Sequence, residues 1–248
     1  LLILREIAAR GRFGWGLRDL AERCGLDRAT THRALAALVR ERMVQQRRSD
    51  RHYLPGPLIF ELSLAIPVYS EFQAAARPSI NRLQRRFDTM AALFLRSGAE
   101  SVCALRAGEP PYVGARLEVG TRGPLVANAG GTAILIALPT DERQRIVAQN
   151  LQHMAWLGEA TLKRLERMLR RSEGLGYAFN QSEVTRGVHS FGVALCRAGS
   201  EPRSDPFGSI VLSGRAEAFP ASRAAEVIEA LHAEATLLES IAAKLLPG

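Results

Sequence analysis

Twelve arginines against six carboxylates fall within residues 1–54, so this stretch holds +6 of the chain's net +8. Guanidinium groups at that density are the chemistry of polyanion binding, since each can grip a phosphate or a base edge through two parallel N–H groups. Two groups stand out. Arg28, Ala29, Thr30, Thr31, His32 and Arg33 are consecutive, and Arg47, Arg48 and Arg51 follow closely behind. Arginine can bind guanine bidentately, threonine can donate to phosphate or base, and a helix N-terminus attracts phosphate. Residues 55–248 carry only +2, which suggests a nearly neutral body with a different task.

Elsewhere, chemistry-bearing residues are dispersed. His32, His52, His153, His189 and His232 have no metal-ligand spacing, so no metal site is expected. There is no nucleophile elbow, phosphate-binding loop or dinucleotide fingerprint, so no cofactor and no enzyme activity are expected. Cys24, Cys103 and Cys196 are widely spaced and odd in number, as befits reduced thiols in a cytoplasmic protein. Cys196 is expected to be a buried structural thiol. No apolar run approaches the ~20 residues of a membrane span, and no signal peptide is visible. Because the chain opens at Leu1 without methionine, residues before it are expected to be missing.

The elements that must position the basic groups follow from spacing. Leu1–Ala9 has apolar residues at helical intervals, and Leu17–Cys24 places Leu17, Leu20, Ala21 and Cys24 on one face. Gly25 stops that helix and Asp27 caps the next, which is expected to run to about Arg42 with Leu35, Leu38 and Val39 buried and Leu26 as an anchor. Met43–Gln46 and Arg51–Leu54 then form a basic hairpin around Arg47–Asp50. Together these predict a winged helix-turn-helix over residues 1–55, whose second helix enters a major groove of double-stranded DNA by its N-terminal end.

Pro55-Gly56-Pro57 marks a boundary, followed by a linker helix within 56–70. Pro67 is expected to end or kink it, and Pro78 to interrupt the helical run that resumes at Tyr69. Beyond Asp88, strands are expected at Ala91–Leu95, Val102–Leu105, Tyr112–Ala115, Tyr177–Phe179, Phe191–Cys196 and Phe207–Leu212. Helices are expected at Gly130–Leu138, Asp141–Asn150, Glu159–Ser172 and Ala221–Leu246. Without regular strand–helix alternation, residues 71–248 read as an α+β domain.

Four ordered stretches carry a resemblance. Asp27-Arg28-Ala29-Thr30-Thr31-His32-Arg33-Ala34-Leu35 resembles the recognition helix of the isocitrate-lyase-regulator (IclR) family of bacterial transcription factors. His52-Tyr53-Leu54-Pro55-Gly56 is similar to the end of that family's wing. Val119 to Leu125 with Ala129-Gly130-Gly131-Thr132-Ala133, and Gly174 to Ala178 with Glu183 and Gly187-Val188, resemble two segments of its effector domain. The resemblance implies a GAF/PAS-like α+β effector-binding and oligomerisation domain, a homodimer or homotetramer, and control of a catabolic operon by a small organic acid or aromatic ligand. It further implies an effector site lined by Ala129, Gly130, Asn180, His189, Ser190, Val211 and Ser213. Backbone N–H groups at Ala129–Gly131 can hold a carboxylate, and Asn180, Ser190 and Ser213 can orient the ligand.

The chain departs from the family pattern where Thr132 replaces lysine, Asn180 an acid, and Val211 a serine found in some members. Fewer polar groups favour a larger, partly aromatic ligand over a tiny 2-oxo acid. Two alternatives stay open on the residues alone: a DNA-binding protein whose large domain only oligomerises, and an enzyme with an accessory basic domain.

Overall fold

The computed structural model describes residues 1–111, 117–197, 199 and 204–246. The strand expected at Tyr112–Ala115 lies outside the described residues. The chain divides into two compact units, Leu1–Ser70 with Gly120–Arg122, and Glu71–Val119 with Gly123–Gly248.

In the first unit, α1 (Leu2–Arg10), α2 (Leu17–Cys24) and α3 (Arg28–Arg40) precede a hairpin of β1 (Val44–Gln46) and β2 (Tyr53–Pro55), then α4 (Pro57–Ser63). Ile3, Ile7, Leu20, Leu35, Val44 and Tyr53 form its core. Gly25 takes the left-handed conformation (φ 62°) that closes α2, and the Leu26 N–H returns to the Ala21 carbonyl at 3.0 Å. Asp27 caps α3 by accepting the Thr30 N–H at 2.8 Å. The buried face of α3 is Thr31 and Leu35, flanked by Ala34 and Leu38. Val39 lies about 80° around the helix from the centre of that face and is exposed, contrary to expectation. Leu26, expected to be an anchor, is also partly exposed, at 37%. The helix ends at Arg40, and Arg42 adopts φ 59°. At the boundary, a Cβ on Gly56 would sit 2.2 Å from the Arg42 carbonyl oxygen, so only glycine lets the chain pass there.

Further along come α5 (Pro67–Phe87), β3 (Met90–Ser97), β4 (Glu100–Ala107), β5 (Arg122–Pro124), α6 (Ala129–Ala137), α7 (Thr140–His153), α8 (Glu159–Leu175), β6 (Ala178–Gln181), β7 (Val188–Cys196), β8 (Pro206–Arg215) and α9 (Ala224–Leu245). Pro67 opens α5 rather than ending a helix, since a first-turn residue needs no N–H partner. The helix also continues through Pro78. Both Pro78 and Ala74, whose carbonyl loses its donor there, are exposed, so water can replace the bond.

The strand order is β5-β4-β3-β8-β7-β6. Alternation along each strand sends Ala91, Leu93, Phe191, Ile210 and Leu212 to the face covered by α5 and α9. Ala92, Phe94, Ala178 and Val211 point the other way, beneath α6. This α+β sandwich of helices around an antiparallel sheet leaves one face available to build a cavity against α6.

Candidate functional site

Two candidate sites emerge, one in each unit. In the first, α3 presents Arg28, Ala29, His32 and Arg33 on its exposed side, with Thr30 half-buried beside them. Arg33 Nη2 donates to Thr30 Oγ1 at 2.9 Å. Hydrogen bonds from Thr30 hold the Asp27 carboxyl below the usual carboxylate range, so the cap stays ionised. Thr31, expected among the DNA contacts, points inward instead. It is fully buried, and its Oγ1 donates to the Asp27 carbonyl at 2.9 Å. It begins the apolar face of α3, one residue round from the exposed side.

The wing also divides its arginines. Arg48 and Arg51 are exposed, whereas Arg47 is tied into the fold. Its guanidinium meets Asp50 at 2.9 and 2.6 Å and the Arg12 and Phe13 carbonyls at 2.9 and 3.2 Å. This engagement is why Asp50 titrates well below an ordinary carboxylate. Four of the five N–H directions of Arg47 are thereby occupied within the unit, which leaves it less available to DNA than Arg48 or Arg51.

In the second unit, strand register builds one polar rung. Asn180 on β6 faces Ser190 on β7, which faces Ser213 on β8, which faces Met90 on β3. All three polar side chains are buried. Ser190 Oγ and Ser213 Oγ are 2.7 Å apart, and Asn180 Nδ2 donates to the Val188 carbonyl at 3.3 Å and to Ser190 Oγ at 3.5 Å. Asn180 Oδ1 accepts the Val184 N–H at 3.1 Å, tying the rung to the β6–β7 connection. The next rung is small: Ala178, Gly192, Val211 and Ala92.

On that small rung sits the N-terminus of α6. Gly130 rests against the Phe94 ring and Gly131 against the Leu125 backbone, while Ser209 Oγ donates to the Gly130 carbonyl at 2.8 Å. Asn128 caps the helix by accepting the Gly131 N–H at 2.9 Å. Of the three N–H groups expected to face a ligand, Gly131's is therefore taken. Those of Ala129 and Gly130 have no acceptor among the described residues.

Between helix and rung lies a cavity of about 160 Å³. Ala129, Gly130, Asn180, Ser190, Val211 and Ser213 all line it. His189 does not. As the neighbour of Ser190 on a strand, it points to the opposite face, where its Nδ1 meets the Phe219 carbonyl at 3.1 Å and its ring packs edge-on to Phe179. Met90, Phe94, Asn128, Val184 and Val188 also line the cavity and were missed. Asn128 carried a signal, an asparagine directly before a helix start. Met90 and Phe94 were findable by even spacing along β3 once that face was known. Cys103 lies buried beneath the same helix, and burial pushes its thiol up to about 12. Among the described residues no helix is long and apolar enough to cross a membrane, and no cluster of metal-ligating side chains is present.

A basic helix-turn-helix with a wing, followed by a cavity-bearing α+β domain, defines a class: DNA-binding transcriptional regulators. Two family descriptions match this chain, "IclR helix-turn-helix domain" over residues 1–48 and "Bacterial transcriptional regulator IclR C-terminal" over residues 68–239. The chain belongs to the IclR family of bacterial transcriptional regulators. It is 26% identical to the HTH-type transcriptional regulator TsaQ1/TsaQ2 of Comamonas testosteroni over 188 residues, 75% of this chain and 67% of that protein. A crystal structure of an IclR family regulator from Brucella abortus shares its fold with a TM-score of 0.70 at 21% identity, covering 96% of this chain and 90% of that one. An IclR homologue from Microbacterium hydrocarbonoxydans, solved in complex with 4-hydroxybenzoate, has a TM-score of 0.65 at 16% identity, covering 97% and 98%.

Proposed function

We propose that this regulator controls a catabolic operon by binding its operator as a homodimer or homotetramer and by sensing a single-ring aromatic carboxylate in the α6 cavity. The observation that carries the effector reading is the apposition of two N–H groups without an acceptor among the described residues, on Ala129 and Gly130, with the Asn180–Ser190–Ser213 rung across a cavity of about 160 Å³. A cavity of roughly 150 Å³ accommodates a benzene ring. Proton accounting adds the polarity. Ser190 and Ser213 share one hydrogen bond but own two hydroxyl protons, so one O–H remains for a ligand acceptor. Donors at both ends suit a carboxylate at the helix N-terminus and an oxygen substituent at the rung. The 4-hydroxybenzoate complex of the Microbacterium relative is consistent with this chemistry.

On the DNA side, Arg28, Ala29, His32 and Arg33 contact bases or flanking phosphates, with Thr30 beside them, and Arg48 and Arg51 the backbone beside the wing. The dimer reading rests on Phe60, Leu62, Leu64 and Ile66, all exposed within one short stretch of the first unit. That apolar run suits pairing with a second copy, which would present two heads to two half-sites.

The test is thermal unfolding with benzoate, 4-hydroxybenzoate, pyruvate and benzylamine, followed by a gel shift on upstream DNA with the best binder. At a hundredfold excess over Kd, the aromatic acids should stabilise by about 2.7 kcal/mol. Stabilisation by benzylamine in preference to benzoate would sink the polarity argument. If no compound acts, the domain only oligomerises; turnover of the bound compound would point to an enzyme.

A further inference from the structure

We infer that Thr30 is a positioning residue that fixes the Arg33 guanidinium for base recognition, an inference that rests on the proposed reading of α3. Arg33 carries only donors, so in the 2.9 Å contact Thr30 Oγ1 must be the acceptor. The Thr30 hydroxyl proton therefore points away from Arg33. The Thr30 N–H already donates to Asp27 Oδ1 at 2.8 Å, which holds the two side chains together at the first turn. The result is a relay of two contacts: Asp27 accepts the Thr30 backbone N–H, and Thr30 Oγ1 accepts from Arg33.

The spacing is what makes this possible. Residues 27, 30 and 33 are three apart, so they rise along one side of the first turn and a half of α3. Thr30 is half-buried and held by its own N–H, whereas Arg33 is exposed and otherwise has many rotamers available. One of the five guanidinium N–H directions is used by Thr30, leaving four, which is enough for a two-pronged contact with one base. The hydrogen bond lies at the surface and contributes little to folding. Its consequence is to restrict where the fork points before DNA arrives, so less freedom is lost on binding. The depressed titration of Asp27 agrees with a carboxylate that takes more than one hydrogen bond.

The experiment is selection of duplexes from a randomised-core library by the full chain, with sequencing of the bound pool. Wild type is compared with Arg33→Ala, Thr30→Val, Thr30→Ala and Thr30→Ser, after thermal melting shows which variants are folded. Arg33→Ala should flatten the preference at one base pair per half-site by roughly 5- to 150-fold. Thr30→Val and Thr30→Ala should flatten that same position by roughly three- to tenfold, and leave the salt dependence unchanged. Thr30→Ser keeps the hydroxyl and should restore the preference. A wild-type preference in Thr30→Val or Thr30→Ala, with Arg33→Ala impaired, overturns the relay. Equal loss in Thr30→Ser and Thr30→Val does so too, because the hydroxyl is then irrelevant. An unaltered preference in Arg33→Ala overturns instead the reading of Arg33 as a base contact.

Discussion

Replacing Gly130 by alanine inverts an ordinary rule. At an unconstrained helical position, glycine to alanine stabilises by up to ~1 kcal/mol through lower backbone entropy. Here the new methyl would lie 2.5 Å from Phe94 Cδ2 and 2.9 Å from Cε2. Phe94 is 4% exposed, so its ring has little room except toward the cavity it lines. Overpacking of this kind costs about 1–3 kcal/mol. Set against the helical gain, Gly130→Ala should destabilise by about 1–2 kcal/mol, which lowers Tm by roughly 2–8 °C in a domain of this size. The neighbouring position supplies the contrast. A methyl on Gly131 would lie 2.1 Å from the Leu125 carbonyl oxygen, and backbone cannot rotate away, so Gly131→Ala should cost ~3 kcal/mol or more. Adding Phe94→Leu should rescue Gly130→Ala but not Gly131→Ala. Differential scanning calorimetry of these four variants and the wild type decides the matter. A Gly130→Ala protein that melts higher than wild type would show that Phe94 does not press on α6, and the cavity wall described above would be wrong.

The wing gives a second contrast. Arg47→Ala should lower the melting temperature and speed amide exchange in β1 and β2, since it frees Asp50 and two carbonyls. Arg48→Ala should leave stability unchanged and reduce the salt slope of DNA binding by about one. In the second unit, Arg82 meets Glu234 at 2.8 and 2.7 Å between α5 and α9. Burial would raise the Glu234 carboxyl, but hydrogen bonds from Arg82 and Ser79 outweigh it and hold the group low. Stability from this pair is therefore fully present above the ordinary carboxylate value and is lost as pH falls through the lower folded-state value. Glu234→Gln should remove that part of the acid dependence, as followed by circular dichroism. Finally, Cys103, its thiol near 12, should react with iodoacetamide at pH 8.5 at least ~100-fold more slowly than half-buried Cys24; comparable rates by mass spectrometry would mean that β4 opens readily.

Local rules found the first unit almost residue by residue, because its signals are local. Asp27 caps, Gly25 stops, and period 3.6 marks the faces. Thr31 was ambiguous because it lies at the edge between two faces, where a polar residue can bond backward to a carbonyl and be buried. The engagement of Arg47 within the unit was not legible, for another reason. Its partners Arg12 and Phe13 are about 35 positions away, and spacing along a chain is silent on such a distance. His189 shows how a one-residue error on a strand reverses the side. The cavity's polar rung joins three strands whose register only the folded sheet defines, although the resemblance had supplied most of its members. The short β5 was missed because three residues around a glycine and a proline carry no alternation to detect.

Arg47 also bears on how the DNA-binding unit meets its target. By joining the wing tip to the α1–α2 connection, it makes the hairpin and the helical body a single stiff caliper. The Trp15–Tyr53 backbone bridge closes the same joint from the other side, with N–H···O bonds of 3.0 and 2.8 Å. A caliper has one setting. On the proposed reading, α3 and the wing cannot adjust their spacing to a duplex of different groove width, so the duplex must conform. Sequences that bend or narrow easily beneath the wing would then bind better than stiff ones, even at base pairs that no side chain touches.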